Sequence, residues 1–255
     1  ATAVLIIPEG FSRKLNRGEP ATVQLLVDGS DSNTARMAIA YARGIIAGPG
    51  TGGVSMVTAY NPSMDTTWSI IPGLIAIIVN VIAAMLTSLC VAREWENGTM
   101  EQLVSTPVRK AEFIAGKILP YYVIGVLDII TAVSMAVFLY GVPMNGSLFL
   151  LAGVCGVFLL GALSLGVLIS IAAKTQLLAS QLSLIITFLP GFILSGFVYD
   201  IASMPPVVQG VTRLIPARYF VTLLCSVFLK RVWGTAHSVE LAILALFTVA
   251  VLAVS

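Results

Sequence analysis

Long apolar runs separated by polar breaks dominate the last three-quarters of the chain. The runs cover residues 69–91, 118–140, 147–173, 177–199 and 239–255. A helix needs about 20 apolar residues to cross roughly 30 Å of hydrocarbon, and the first four runs reach that length. The fifth stops before it is comfortably long enough. The pattern therefore predicts five membrane-spanning helices in a transmembrane domain over residues 68–255.

Residues 1–67 follow a different pattern. Three short β-like runs (AVLII, ATVQLLVDG and VSMVTAY) alternate with two helical stretches, GFSRKLNRG and a longer one from Ser32 or Asn33 to about Ala47. This β-α-β-α-β order predicts a small α/β domain outside the bilayer, which we expect to be incomplete. The first run is too short to span a membrane, and Pro8 follows it closely. We therefore expect an anchoring helix to precede the chain.

Composition agrees with a membrane protein. The chain is 58% hydrophobic and 10% charged, with a net charge of +2, whereas a soluble domain carries about 25% charged residues. No basic block indicates nucleic-acid binding. The three cysteines have neither metal-site spacing nor a disulfide framework. No GxxxxGK[ST] phosphate loop occurs, so we expect no nucleotide or metal cofactor on this chain.

The distribution of Lys and Arg between loops predicts the orientation. The 92–117 loop contains four, the 141–146 loop none, and the turn after the third run has Lys174 alone. Because cytoplasmic loops are enriched in positive residues, these counts place 92–117 in the cytoplasm. The 200–238 loop also has four, but it is long and partly apolar. Alternation of the spans then puts it outside, on the same face as residues 1–67.

The 92–117 loop contains a polar segment, REWENGTMEQLVSTPVRK. Thr99 can begin a short helix, with Gln102 completing a capping-box pattern. Met100, Leu103 and Val104 fall on one face of that helix, and Pro107 prevents it from continuing. The segment predicts an amphipathic helix at about 99–105 on the cytoplasmic membrane surface. Its apolar face would either dock into a partner protein or rest on lipid headgroups.

This segment closely resembles the signature of ABC-2 type permeases, the membrane subunits of a class of ABC exporters. The matching positions are Arg93, Glu94, Glu96, Gly98, Thr99, Glu101, Gln102, Leu103, Pro107, Val108, Gly116, Lys117 and Pro120. Tyr60-Asn61-Pro62, Pro72-Gly73, the run LPGFILSGFVYDIASMPPVVQ and Ile215-Pro216-Ala217-Arg218-Tyr219-Phe220 are also similar to family segments. The α/β region is similar to that of the subset often described as multidrug exporters.

The resemblance implies a membrane α-helical bundle with six spans, of which five are visible here, plus the extracytoplasmic α/β domain. It implies a dimer with a second permease copy or a paralogue, and cytoplasmic ATPase subunits that bind ATP and Mg. The helix at 99–105 would be the coupling helix. The residues it assigns to ATPase coupling are Arg93, Glu94, Glu96, Gly98, Thr99, Met100, Glu101, Gln102, Leu103 and Pro107. A bacterial inner membrane is the expected location, in contact with lipid and with a periplasmic adaptor and outer-membrane channel as further possible partners.

Candidate residues of a transport path are few. Asp128 lies near the middle of the second run, where a carboxylate costs at least about 2.5 kcal/mol, so it either has a function or is a protonated or hydrogen-bonded acid. Asn80 either lines a dimer interface or, as we favour, bonds between helices. Gln176 and Gln181 flank the start of the fourth run and are either cytoplasmic-gate residues or, as we favour, ordinary interfacial polar groups. Pro190 predicts a helix that bends near its outer half, either to gate a path or to fit the packing.

The outer segment at about 203–230 contains two apolar stretches, 205–215 and 217–229, that are too short to span. We expect re-entrant or interfacial half-helices there.

The leading hypothesis is thus a permease subunit, not an enzyme, that exports hydrophobic small molecules or drugs with energy from separate ATPases. One alternative is lipid or polysaccharide export. Another is a proton-coupled secondary transporter that uses Asp128 and needs no ATPase.

Overall fold

The computed structural model describes residues 3–17, 19, 21–29, 32–46, 51–59, 66–104, 109–199, 201–229 and 235–255. The chain divides into two compact units, Ala1–Ile70 and Ile71–Ser255. The first contains all three described strands, and the second contains the long helices.

The first unit is a three-stranded sheet with two helices, in the predicted β-α-β-α-β order. Its elements are β1 (Ala3–Ile6), α1 (Phe11–Asn16), β2 (Ala21–Asp28), α2 (Ser32–Ile46) and β3 (Thr51–Ala59). The central β2 pairs antiparallel with β1, with Ala3 opposite Val27, and parallel with β3, with Val27 opposite Thr58. The extracytoplasmic location of this unit stays a prediction.

The core of this unit lies between β2 and α2. Side chains alternate along β2, so that Val23, Leu25 and Val27 are buried while Gln24 and Leu26 are exposed. Leu25 and Val27 pack with Ala35 and Ile39 from α2. Burial of one face of β2 by one face of α2 gives this small unit an apolar core of its own.

The second unit consists of helices. They are α3 (Thr66–Glu96), α4 (Thr99–Val104), α5 (Lys110–Phe138), α6 (Leu148–Ala173), α7 (Gln176–Ser183), α8 (Leu189–Leu194), α9 (Pro206–Thr212), α10 (Pro216–Leu229) and α11 (Thr235–Val254). A π-helical turn, Leu184–Phe188, joins α7 to α8, and a 3-10 turn, Ile201–Ser203, precedes α9.

Five helical segments are long and apolar enough to cross a membrane, as the sequence predicted. They are Ile70–Glu96, Glu112–Phe138, Leu148–Ala173, Gln176–Leu194 and His237–Val254. The fourth combines α7, the π turn and α8. The membrane-helix bundle predicted for this region is confirmed.

The middle span, α6, packs against α3 through small residues and hydroxyl groups. Gly166 is so close to Thr87 and to the Ala84 carbonyl that a β-carbon there would overlap both. The Thr87 hydroxyl donates to the Leu163 carbonyl at 3.0 Å, and the Ser170 hydroxyl donates to the Ser88 carbonyl. Because these contacts advance in the same direction along both helices, α3 and α6 run parallel.

Three further helices pack on α6. The Thr248 hydroxyl of α11 donates to the Val157 carbonyl at 3.1 Å. A β-carbon on Gly125 of α5 would lie 2.7 Å from a Leu159 methyl group. From α10, Phe220 stacks on Phe158 with ring centroids 3.8 Å apart. Helix α6, which is the most buried of the five candidate spans, is therefore central to the described bundle.

The helices α9 and α10 form a pair bent by 80°. The end of α10 meets the loop between α5 and α6, where Asn145 and Gly146 donate backbone N–H groups to the carbonyls of Phe228 and Val227. The first turns of α10 lie beside the middle of α6, where the ring of Phe220 stacks on that of Phe158. Of the two forms expected for the outer segment, these contacts favour a re-entrant one over a surface one.

The irregularity predicted at Pro190 is a π turn that precedes it. The Leu189 N–H donates to the Leu184 carbonyl, five residues back. Pro190 has no N–H to donate, so the regular helical ladder cannot continue through it. The wider turn therefore falls on Leu184–Phe188 and not on the proline itself.

Candidate coupling site and transport path

The short predicted helix at the end of α3 is present. Helix α3 ends at Glu96, and α4 begins at Thr99. Between them Gly98 has φ +70°, the left-handed region in which a side chain would be strained. The Gly98 N–H donates to the Trp95 carbonyl at 3.2 Å. This glycine stops α3 and turns the chain into α4.

The hydroxyl of Thr99 bonds to a residue that precedes it in the chain. It donates to the Glu94 carbonyl at 3.2 Å, which ties the first residue of α4 to the last turn of α3. The side chain of Gln102 lies outside the described residues, so the capping box stays a prediction. The structure instead has a carboxylate cap at the start of α5, where Glu112 accepts from the Arg109 N–H at 3.2 Å.

Three consecutive side chains at the end of α3 reach three other parts of the bundle. The Glu94 carboxylate forms an ion pair with Lys117 of α5. The ring of Trp95 lies 5.2 Å from the ammonium group of Lys174, at the end of α6. Glu96 accepts two hydrogen bonds from Gln176, one from its backbone N–H at 3.0 Å and one from its side-chain amide at 2.5 Å. Below, these residues are called the α3 clasp: Glu94, Trp95, Glu96, Lys117, Lys174 and Gln176.

The clasp is only partly shielded from solvent. The Glu94 and Lys117 side chains retain 19% and 26% of their exposure. The second Glu94 oxygen and the Trp95 ring N–H are buried with no hydrogen-bond partner within the described residues. The ion pair therefore lies in an environment where the loss of either charge leaves the other poorly compensated.

The other described residues assigned to coupling are mostly exposed. Arg93 and Glu101 are exposed, and Met100 is half-buried. Gln102 and Leu103 belong to α4, but their side chains are outside the described set, and so is Pro107 altogether. The carboxylates of Glu94 and Glu96 bond to residues of their own chain. Whether any of these residues contacts an ATPase stays a prediction.

Sequence reasoning did not assign four of the six clasp residues to the site. Lys117 belonged to the matched motif without a role, Gln176 was taken as an ordinary interfacial group, and Trp95 and Lys174 were not assigned to the site. All four lie at span ends on the predicted cytoplasmic face. One signal could have identified them. Acidic residues lie at the end of one span, and hydrogen-bond donors lie at the ends of other spans on the same predicted side of the membrane.

The candidate path residues do not form one site. The Asn80 side chain is buried and donates to the Thr187 carbonyl at 3.1 Å, which agrees with the favoured role of bonding between helices. Thr187 belongs to the π turn, so Asn80 ties α3 to the irregular part of the fourth span. Pro190 is half-buried, and Gln181 is exposed. Within the described residues, no group of His, Cys, Asp and Glu could hold a metal ion.

Asp128 lies apart from these residues. It is half-buried on α5, and its carboxylate has no hydrogen bond or ion pair within the described part of the chain. The nearby Thr131 hydroxyl donates to the Asp128 backbone carbonyl at 2.8 Å and not to the carboxylate. Within the described residues, Asp128 thus shows no hydrogen bond to a neighbouring helix, and its role stays a prediction.

Comparison with known proteins gives a consistent result. "Probable multidrug ABC transporter permease YbhS" of Escherichia coli (strain K12) is 41% identical over 240 residues, covering 89% of this chain and 64% of that protein. "Probable multidrug ABC transporter permease YbhR" of the same strain is 31% identical over 241 residues, covering 89% and 65%. "Inner membrane transport permease YhhJ", also from this strain, is 30% identical, covering 87% and 63%. The chain thus spans slightly less than two thirds of the length of these relatives.

The protein-family model described as "ABC-2 family transporter protein" matches residues 1–255. The match covers the α/β unit and the helical unit alike, and the five candidate spans fit a multi-pass membrane protein. The motif carried by the end of α3 and by α4 is thus part of a resemblance that extends over the whole sequence. The chain belongs to the ABC-2 family of membrane transporters, as its polar segment predicted.

Proposed function

We propose that this chain is part of the permease subunit of an ATP-driven exporter in a bacterial inner membrane. It would move hydrophobic small molecules outward, with ATP and Mg bound by a separate cytoplasmic ABC ATPase. A second permease copy or a paralogue would complete the membrane part, in contact with lipid. The names of its relatives, two of which include "multidrug ABC transporter permease", support this substrate class.

One observation carries the proposal. A six-residue helix, α4, follows a glycine-terminated span whose last turn is bonded to two other spans. A force on α4 would pass into α3 and, through the α3 clasp, into α5 and the α6–α7 connection. This arrangement suits a permease that receives mechanical work from another chain. A periplasmic adaptor and an outer-membrane channel belong to the same proposal as further partners.

The direct test is recovery of the partner chains. The full-length protein would be purified from its host with an affinity tag, and the companion chains identified by mass spectrometry. We expect an ABC ATPase with the wild type, and its loss with Glu101→Lys or Leu103→Asp. Glu9→Lys makes the same charge change at an exposed position of the first unit and should retain the ATPase.

Transport measurements separate the alternatives. The unpaired Asp128 carboxylate favours, as a second candidate, a proton-coupled secondary transporter. That candidate expects transport by the permease alone in vesicles without ATP, driven by a pH gradient, and loss of transport in Asp128→Asn. ATP-dependent transport of lipid or polysaccharide, with no drug transport, would support the remaining alternative.

A further inference from the structure

The environment of Asp128 indicates what kind of molecule it meets. Asp128 belongs to the span Glu112–Phe138, about 24 Å along the helix axis from its start and about 15 Å from its end. It is the only charged residue between residues 118 and 173. The chain therefore supplies no cation from its own second or third span to neutralise this carboxylate.

Part of the surface around Asp128 is apolar and is not covered by the described residues of the bundle. Ile124 and Met135 lie four residues before and seven residues after Asp128, so they share its side of α5, and Leu127, its neighbour in sequence, lies on the adjoining exposed side. The side chains of Ile124, Met135 and Leu127 are 50%, 53% and 57% exposed. Asp128 borders the side of α5 that packs on α6, since Gly125, which meets Leu159, lies three residues before it. Ile124, Leu127, Asp128 and Met135 are here called the Asp128 strip.

A negative charge set among aliphatic side chains complements one class of ligand. An unpaired carboxylate is strongly disfavoured in hydrocarbon, so a cation that reaches it gains a charge partner that water does not contest. Ile124, Leu127 and Met135 offer dispersion and hydrophobic contact to an apolar body next to that cation. A neutral molecule would gain only the hydrophobic contact. An anion would be repelled by the carboxylate.

We propose that the Asp128 strip recognises amphiphilic organic cations, so that lipophilic cations are a substrate class of this permease. The proposal rests on the transport function proposed above and makes it more specific. The carboxylate contacts the positive centre, and the aliphatic side chains contact the apolar body. No bond is formed or broken, and discrimination comes from the sign of the ligand charge.

A pair of ions with the same shape and opposite charge tests this directly. Tetraphenylphosphonium and tetraphenylborate both present four phenyl rings around a central atom. Their binding to the full-length transporter in lipid nanodiscs would be measured by equilibrium dialysis, with protein-free nanodiscs subtracted for partitioning into lipid. We expect wild type to bind the phosphonium more tightly than the borate, and Asp128→Asn to bind the phosphonium at least about tenfold more weakly, as expected for removal of one partner of a desolvated charge pair.

Two variants make the result specific. Asp128→Glu keeps the charge and should keep the preference for the cation. Ser134→Ala removes a hydroxyl that bonds only to the Ile130 carbonyl of the same helix, and should leave phosphonium binding unchanged. An unchanged size-exclusion profile of each variant establishes that folding is intact.

The results also separate this proposal from the proposed function. Equal phosphonium binding by wild type and Asp128→Asn would overturn the substrate class, even if the ATPase still co-purifies. Charge-selective binding that depends on Asp128, in a protein that recruits no ATPase, would uphold the site and count against the ATP-driven exporter instead.

Discussion

Glu94, Trp95 and Glu96 are adjacent in sequence and diverge in space. Successive residues of a helix point about 100° apart, so three neighbours at a helix end can meet three different elements. Here the partners are Lys117, Lys174 and Gln176. An exposed helix end would let these side chains move independently. The clasp instead fixes the point from which α4 departs.

The ion pair of the clasp gives a prediction at this scale. Glu94→Gln removes the charge that Lys117 faces, and we expect a loss of about 1–3 kcal/mol of stability, between the values for exposed and buried pairs. The reversed pair, Glu94→Lys with Lys117→Glu, should recover part of it. Thermal unfolding of the purified full-length protein measures the change.

The control for this prediction is Glu101→Gln, which neutralises an exposed carboxylate in the next helix. Its effect on stability should lie within about 0.5 kcal/mol, as is usual for surface substitutions. If Glu94→Gln were equally mild, the ion pair would have no part in holding the end of α3.

At the scale of elements, the contact between α3 and α6 depends on the absence of a side chain at Gly166. A β-carbon there would overlap the Thr87 hydroxyl and the Ala84 carbonyl. The hydroxyl could rotate away, but only by giving up its bond to Leu163. The backbone carbonyl cannot move without shifting α3. The two helices therefore approach more closely than larger residues would permit.

Gly166→Ala should accordingly separate the two helices. We expect a destabilisation of about 1–3 kcal/mol from overpacking, observed as a lower unfolding temperature. Gly153→Ala is the matched control, because it lies on the same helix and an added β-carbon there meets nothing within 4 Å. It should be neutral or slightly stabilising, since alanine is the better helix former. Equal effects of the two substitutions would contradict the close approach.

At the scale of the whole helical unit, one end carries the α3 clasp and the other carries the contact between the α5–α6 loop and α10. Parallel α3 and α6, with α5 returning between them, put these features at opposite ends. The excess of Lys and Arg predicts that the clasp end is cytoplasmic. The contacts establish that the ends are opposite, and the orientation in the membrane stays a prediction.

Labelling in cells tests that orientation. Single cysteines would be placed at Glu101 and at Ser147, both exposed, after replacement of Cys90, Cys155 and Cys225. A membrane-impermeant maleimide should label Ser147→Cys from outside, and Glu101→Cys only after the membrane is permeabilised. Labelling with the reverse pattern would place α4 outside and remove its proposed role.

Features that depend on neighbouring residues in the sequence were predictable. Contacts between residues that lie far apart in the sequence were not. Runs of apolar residues were sufficient for five spans, and Gly98 with Thr99 was sufficient for α4. Glu96 and Gln176 lie 80 residues apart, and Asn80 and Thr187 lie 107 apart. Such contacts depend on how the helices pack, and one sequence does not fix that. The sequence left α10 between a re-entrant and an interfacial helix for the same reason, since its length alone does not distinguish the two.

The interlocking of α3 with α6 has a mechanical consequence. Two helices whose backbones bond to each other's hydroxyl groups cannot slide without breaking several contacts at once, so they tilt together as one stiff rod. A small displacement at the end of α3 would then be transmitted to the other end of the helix pair almost undiminished. Among the described residues, the span of α5 and the fourth span are less buried than α3 and α6, so we expect any change of packing to occur beside them.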